Sequence, residues 1–524
     1  MMKKFWSLSA IAGLLVFGQV VRAAAQEPGK DAKAADTSKA AEAAKPPETP
    51  KEESSVTEHM IRIGDQAINY RATASTTLLK DEKGEPTALM YATAYTRSDV
   101  KDFSQRPIAF IYNGGPGSAS VWLHMGAFGP RRVVTQNASP TPPAPYKLVD
   151  NTESLLDKTD MVFIDPVGTG FSHAVGKAQD QDFWGVDQDV KSLSQFITTY
   201  VSRNSRWNSP KFLIGESYGT FRSVALGNDL QTAGGMYING IVLISSVIDT
   251  STLAFSAGDD RSYIFYLPTY AATAWYYKMV KNPPADLNAF VESARQFAGT
   301  EYATALMKGT KLTPAETTDI AQKLSAFTGL SVDYLIKADL RVSLSQFDAE
   351  VQRGRGLVIG RYDSRYTGNT YDLLTENSEF DPSYTAVVGA FSAAFNSYVR
   401  DELKFGQDKT YKVLPSEPSQ HWDWKHNARA GGFFPSAPNV GIDMIRELLD
   451  NPHLSVEIEN GYFDSATPFY ATEYTMDHLL LPADARERIH LQYYNSGHMI
   501  YLHDEDRVKL KSNIAAFIDG ALKR

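Results

Sequence analysis

Short, mostly apolar runs recur at residues 108–112, 161–164, 211–214, 241–246, 455–459 and 489–494. Runs this short predict strands buried on both faces of a parallel sheet. Between the second and third, Phe183, Val186, Val190, Leu193, Ile197 and Val201 recur at three- and four-residue steps and form one apolar helix face. Ahead of this rhythm, residues 60–63, 67–70 and 89–95 alternate or carry β-branched side chains. Gly64-Asp65 and Asp81-Glu82-Lys83-Gly84 supply their turns, so antiparallel opening strands are predicted. From Pro283 to Leu414 helical patterns interrupt the strands, as at 287–297 and 313–324. The latter opens with Thr313-Pro314-Ala315-Glu316, a capping box with proline at the first helical position. The whole pattern predicts an α/β protein with a mostly parallel central sheet, helices on both faces and an inserted helical cap. Its core spans residues 58–282 and 415–524, with the cap at 283–414.

The first residues follow a different logic. Met1-Met2-Lys3-Lys4, an apolar run from Phe5 to Val21 and Ala23-Ala24-Ala25 read as a secretory signal over residues 1–25. Residues 26–57 are Ala, Lys, Glu, Pro, Asp and Ser with little to bury, and are expected to form a flexible tether. The rest, within a chain of 524 residues that is 43% hydrophobic, can bury a large core. No later run is long enough to span a membrane. The formal charge of −9 disfavours nucleic acid as a partner. With no cysteine the chain has neither disulfides nor thiolate metal sites, which suits export to a bacterial periplasm or exterior. No HExxH or similar cluster calls for a metal, and no motif calls for a cofactor. Oligomeric state is unreadable from the pattern.

The chemistry-bearing residues lie where the predicted strands end. Lys211-Phe212-Leu213-Ile214 runs into Gly215-Glu216-Ser217-Tyr218-Gly219, a strand entering a G-x-S-x-G turn before a helix. A serine on so tight a turn projects its hydroxyl above the sheet, and its glycine neighbours let other backbones approach. Such a hydroxyl needs a base, and the base needs a carboxylate to fix its tautomer. Asp464 and His498 each follow a predicted strand, in the order Ser, Asp, His that this context requires. His490, inside a strand, and His503, in a polar stretch, are weaker candidates. A Gly-rich loop, Asn113-Gly114-Gly115-Pro116-Gly117, follows the strand at 108–112. Its adjacent glycines, with the N–H of Tyr218, suit an oxyanion hole better than a phosphate cradle, since no G-x-x-x-x-G-K-[ST] pattern is present.

These segments resemble the serine carboxypeptidases, the S10 peptidases of the α/β-hydrolase superfamily. Asn113 to Gly117 is similar to that family's NGGPG segment, and Asp165-Pro166-Val167-Gly168-Thr169-Gly170-Phe171-Ser172 to its PVGTGFS segment. Gly215 to Gly219 resembles its GESYG elbow, Asp464-Ser465-Ala466-Thr467-Pro468 its D-x-x-T-P, and Gly497-His498-Met499 its G-H-M. The resemblance implies a serine-type carboxypeptidase acting on peptides through an acyl-enzyme. Ser217, Asp464 and His498 would form the triad, Gly115 and Tyr218 the oxyanion hole, and Asn113 and Glu216 the site for the substrate's terminal carboxylate. A glutamate can donate to a carboxylate only when protonated, so such a site implies a preference for acidic pH. Two departures stand out. Ser118 occupies the place of a half-cystine, and Ala127 the place where the family often has a carboxylate-binding Glu; Arg131 or Arg132 is the nearest cation. An esterase or acyltransferase on the same triad, and a non-catalytic binding protein on the same fold, are the alternatives.

Overall fold

The computed structural model describes residues 50–378, 380–426 and 437–523. The expected signal and most of the tether lie outside the described residues. The tether ends sooner than expected, because β1 (Ser54–Ile63) already pairs at Ser54 with Ser75 of β2 (Gln66–Lys80). Polar residues such as Ser54, Ser55 and Thr57 fit an edge strand, where backbone pairing rather than burial decides the conformation.

β2 continues antiparallel to β3 (Pro86–Arg97), as the opening pattern predicts. Six strands follow: β4 (Ile108–Tyr112), β5 (Asp160–Ile164), β6 (Lys211–Glu216), β7 (Gly240–Ile244), β8 (Ser455–Gly461) and β9 (Ile489–Tyr494). They assemble in the order β1-β2-β3-β5-β4-β6-β7-β8-β9, with every pair from β5 to β9 parallel. Every residue of β4, β5 and β7 is buried. Their side chains alternate between two hydrophobic layers. Ala109, Ile111, Phe163, Ile214 and Ile244 face one, and Ile108, Phe110, Val162, Leu213 and Leu243 the other. The helix α1 (Val186–Arg203) buries the predicted stripe in the second layer, beside α2 (Tyr218–Thr232).

The cap differs from expectation at both ends. α3 (Arg261–Tyr276) belongs to it, because Tyr266, Leu267 and Tyr270 pack with Phe297, Leu324 and Phe347 in a separate hydrophobic cluster. α4 (Leu287–Phe297) and α5 (Pro314–Thr328) also build this unit, α5 with its Thr313–Glu316 capping box in place. At the other end α6 (Val388–Asp401) lies within the span predicted as cap. Yet its Phe391, Phe395 and Tyr398 pack against the sheet. Helical periodicity marks a buried face but not the layer that buries it. Among the described residues no helix is long and apolar enough to cross a membrane.

Two buried charge clusters brace the sheet. Asp160, at the start of β5, accepts from Arg106 Nε (2.9 Å) and Arg206 Nη1 (2.6 Å). Arg222 of α2 donates to Asp189 of α1 (2.6 Å) and to the main-chain oxygen of Asn113 (2.5 Å). Carboxyls are also buried away from cations. Burial raises Glu459 of β8 to about 8, against the hydrogen bond from Tyr494 Oη (2.7 Å). A carboxyl whose folded pKa exceeds its unfolded value binds its proton more tightly in the native state. It therefore removes stability as pH rises from the ordinary carboxyl range through about 8. Raising pH from about 6.5 to about 8.5 is accordingly expected to lower Tm in differential scanning calorimetry, and Glu459→Gln to flatten that slope.

Candidate active site

The turn between β6 and α2 is built on close backbone approach. Ser217 adopts φ +62°, ψ −132°, outside the regions open to ordinary residues, and its N–H donates to the Ile244 oxygen (3.0 Å). A Cβ on Gly215 would stand 2.1 Å from the Gly219 oxygen, and one on Gly114 would stand 2.4 Å from the Tyr218 nitrogen. Glycine is thus required on both the turn and the facing loop. The contact also sets the Asn113–Gly117 loop against the N-terminus of α2, where Tyr218 is the first helical residue and its N–H has no intrahelical acceptor.

The loops after β8 and β9 bring the other two candidates together. Asp464 Oδ2 lies 2.9 Å from His498 Nδ1, and both side chains are buried. The carboxylate also accepts from the N–H groups of Ala466 (2.8 Å) and Thr467 (2.9 Å) and from Thr467 Oγ1 (2.7 Å). These donors leave it one orientation, which holds the proton on Nδ1 and turns Nε2 outward. Burial works to lower the His498 pKa. The Asp464 charge and hydrogen bond outweigh it and hold the ring above its ordinary value.

The His498 loop is pinned from the cap side. Its N–H donates to the Tyr362 oxygen (2.6 Å), and Ser245 Oγ donates to its carbonyl (2.7 Å). Asp363 accepts from the Gly497 N–H (3.2 Å) and pairs with Arg365, whose Nη1 reaches the Asn495 oxygen (2.8 Å). Asp363 therefore pairs with Arg365, and its work is to carry the histidine loop.

One small cavity collects Asn113, Gly114, Gly115, Glu216, Ser217 and His498, with an apolar wall that includes Trp122, Tyr362, Tyr384 and Leu414. Asn113 and Glu216 are joined directly, Nδ2 to Oε1 at 2.9 Å. The Asn113 amide is fixed at its other end by the Leu123 N–H (3.1 Å). Burial raises Glu216 to about 7, opposed by His498, Tyr501 and Asn113.

The serine carboxypeptidase family model matches residues 72–252. The human retinoid-inducible serine carboxypeptidase is 29% identical over 142 residues, 26% of this chain and 28% of that one. The chain thus spans little more than a quarter of the length of this curated relative. The crystal structure of a prohormone-processing carboxypeptidase from Saccharomyces cerevisiae superposes with a TM-score of 0.52 at 16% identity, covering 85% of this chain and 92% of that chain. The chain is thus similar to serine carboxypeptidases over residues 72–252. Its sheet order and helical layers are those of the α/β-hydrolase fold.

Within this fold the departures find places. Ala127 is buried in the turn 123–128, its oxygen accepting from Asn151 Nδ2 (2.8 Å). Arg131 is held by Asp150 (2.5 Å) and Glu402 (3.0 Å), which commits the guanidinium elsewhere. Ser118 Oγ accepts from Trp122 Nε1 (3.0 Å), so the residue in the half-cystine's place fixes the cavity's indole wall. Sequence reading missed Thr467, Ser245, Tyr362 and Arg222. Only Thr467 carried a signal, being part of the Asp464 to Pro468 segment. Gly114→Ala, which drives a methyl into the Tyr218 nitrogen, is expected to slow fluorophosphonate labelling of Ser217 by about 100-fold. Tm measured alongside separates this from unfolding.

Proposed function

We propose that the protein is an exported serine-type carboxypeptidase that releases the C-terminal residue of peptides through an acyl-enzyme. The observation that carries this reading is the shared cavity. Ser217 and the Asp464-bound His498 open into the same space as the Asn113–Glu216 pair. One group of residues is suited to acyl transfer, and the other to an acid at the end of the chain being cut.

Ser217 Oγ attacks the scissile carbonyl as His498 Nε2 takes its proton, while Asp464 stabilises the imidazolium. The carbonyl oxygen gains negative charge against the N–H groups of Gly115 and Tyr218. The imidazolium then protonates the leaving amine, and water attacks the acyl-Ser217 ester with His498 again as base. Meanwhile Asn113 Nδ2 and a protonated Glu216 donate to the terminal carboxylate of the departing residue. A protonated Glu216 has a second effect. Its negative charge is one of the influences that raise His498, so neutralising it leaves the imidazole freer to act as base at mildly acidic pH. Export to a bacterial periplasm or exterior accords with the basic and apolar first residues and the absence of cysteine.

Two measurements test the reading. Ser217→Ala is expected to abolish release of the C-terminal amino acid from N-blocked dipeptides; undiminished hydrolysis would end the proposal. Wild type is expected to prefer the free acid to its amide by at least about 10-fold, since the amide cannot accept from both donors. Equal rates would favour an esterase or acyltransferase. For the free acid, kcat/KM is expected to fall about 10-fold per pH unit above about 7 as Glu216 ionises and repels the substrate carboxylate. Glu216→Gln, which donates at any pH, is expected to remove that alkaline limb.

A further inference from the structure

Glu216 uses only one of its two oxygens in the pair with Asn113. The other, Oε2, is buried and has no hydrogen-bond partner among the described residues. The Tyr501 hydroxyl is in the same condition, with the residue only 2% exposed. These two unpaired polar atoms belong to neighbouring side chains: the phenol and the Glu216 carboxyl act on each other, and Asn113 acts on both. Leaving either atom unmatched inside the protein is costly.

The ring's placement rests on a specific gap. A Cβ on Gly126 would stand 2.5 Å from Cδ2 and Cε2 of the Tyr501 ring, so that edge of the ring lies against a residue that must be glycine. Gly126 adjoins Ala127, which brings no polar group of its own to this corner. The space left by Gly126 thus admits the ring beside the carboxyl. Tyr501 itself comes from the short helical turn Ile500–Leu502, just beyond the His498 loop.

We propose that Tyr501 is a positioning and specificity-determining residue that donates its hydroxyl hydrogen to Glu216 Oε2 and fixes the carboxyl in the plane that meets the substrate's terminal carboxylate. This role rests on the carboxypeptidase reading above. The donor can work across the whole active range, since burial keeps the phenol protonated far above its ordinary value. The same bond favours the ionised form of Glu216 and so holds its pKa below the value burial alone would set. The other groups acting on Glu216 are His498, which lowers its pKa, and Asp464, which raises it. Tyr362, on the opposite cavity wall, feels the Glu216 charge in turn.

Tyr501→Phe removes one oxygen and keeps the ring on Gly126. For an N-blocked dipeptide acid, KM is expected to rise about five-fold with kcat changed less than two-fold, and the alkaline limb of kcat/KM to move up by about one pH unit. Hydrolysis of a small aryl ester lacking the terminal carboxylate is expected to stay within two-fold. In a Glu216→Gln background the substitution is expected to leave the pH profile unchanged, since the group it acts through is gone. An unmoved limb with unchanged KM, or equal losses on acid and ester, would overturn the role. Should the phenylalanine variant fold poorly, Tyr501→Met is subject to the same criteria. Failure of the underlying reading is told apart in wild type alone, by equal rates on peptide acid and amide.

Discussion

The distance between two backbones governs this molecule. Gly114 and the start of α2 touch so closely that no side-chain carbon fits between them, and Gly215 meets Gly219 in the same way across the turn. Ser217 is held in its unfavourable conformation because strand, helix and loop leave the chain no other path. From that contact follow the height of the hydroxyl above the sheet and the setting of the Gly-rich loop against the start of α2. The opening of the cavity on that side of the strands follows as well. The broad sheet supplies the rigidity on which such crowding depends, with both hydrophobic layers pressing its strands into register.

Charge does what packing cannot. Arg222 lies wholly inside, gripping Asp189 on one helix and the Asn113 carbonyl on the loop, so α1, α2 and the Gly-rich segment move as one body. Removing either partner would strand a charge in the interior, which is far costlier than the net worth of the pair. Asp363 and Arg365 act similarly for the loop after β9. In both places an ion pair is used to orient main chain, and the reacting groups inherit the orientation.

The parts legible in the sequence were those with a local signature. Short, mostly apolar runs marked the parallel strands because burial on both faces leaves little polar alternation. The elbow and the loops bearing Asp464 and His498 were legible because each adjoins such a strand. The cap boundary was not, since α3 and α6 show similar helical patterns and differ only in what lies opposite. Residues 54–57 read as tether because an edge strand draws on backbone pairing that composition does not reveal. Tyr362, Arg222 and Tyr501 escaped for one reason: each matters through a contact across the fold, and no spacing along the chain encodes it.

The insertion that carries the cap also orders the molecule's assembly. β7 must pair with β8, Gly240 against Ser455, across roughly 200 intervening residues. The proposed base, His498, and its carboxylate, Asp464, lie beyond that junction, while the proposed nucleophile, Ser217, lies before it. The first half of the sheet can therefore form with the turn at Ser217 already bent and no imidazole yet beside it. On the proposed mechanism reactivity arrives only with the last two strands, so a chain emerging N-terminus first stays chemically silent until nearly all of it has been delivered.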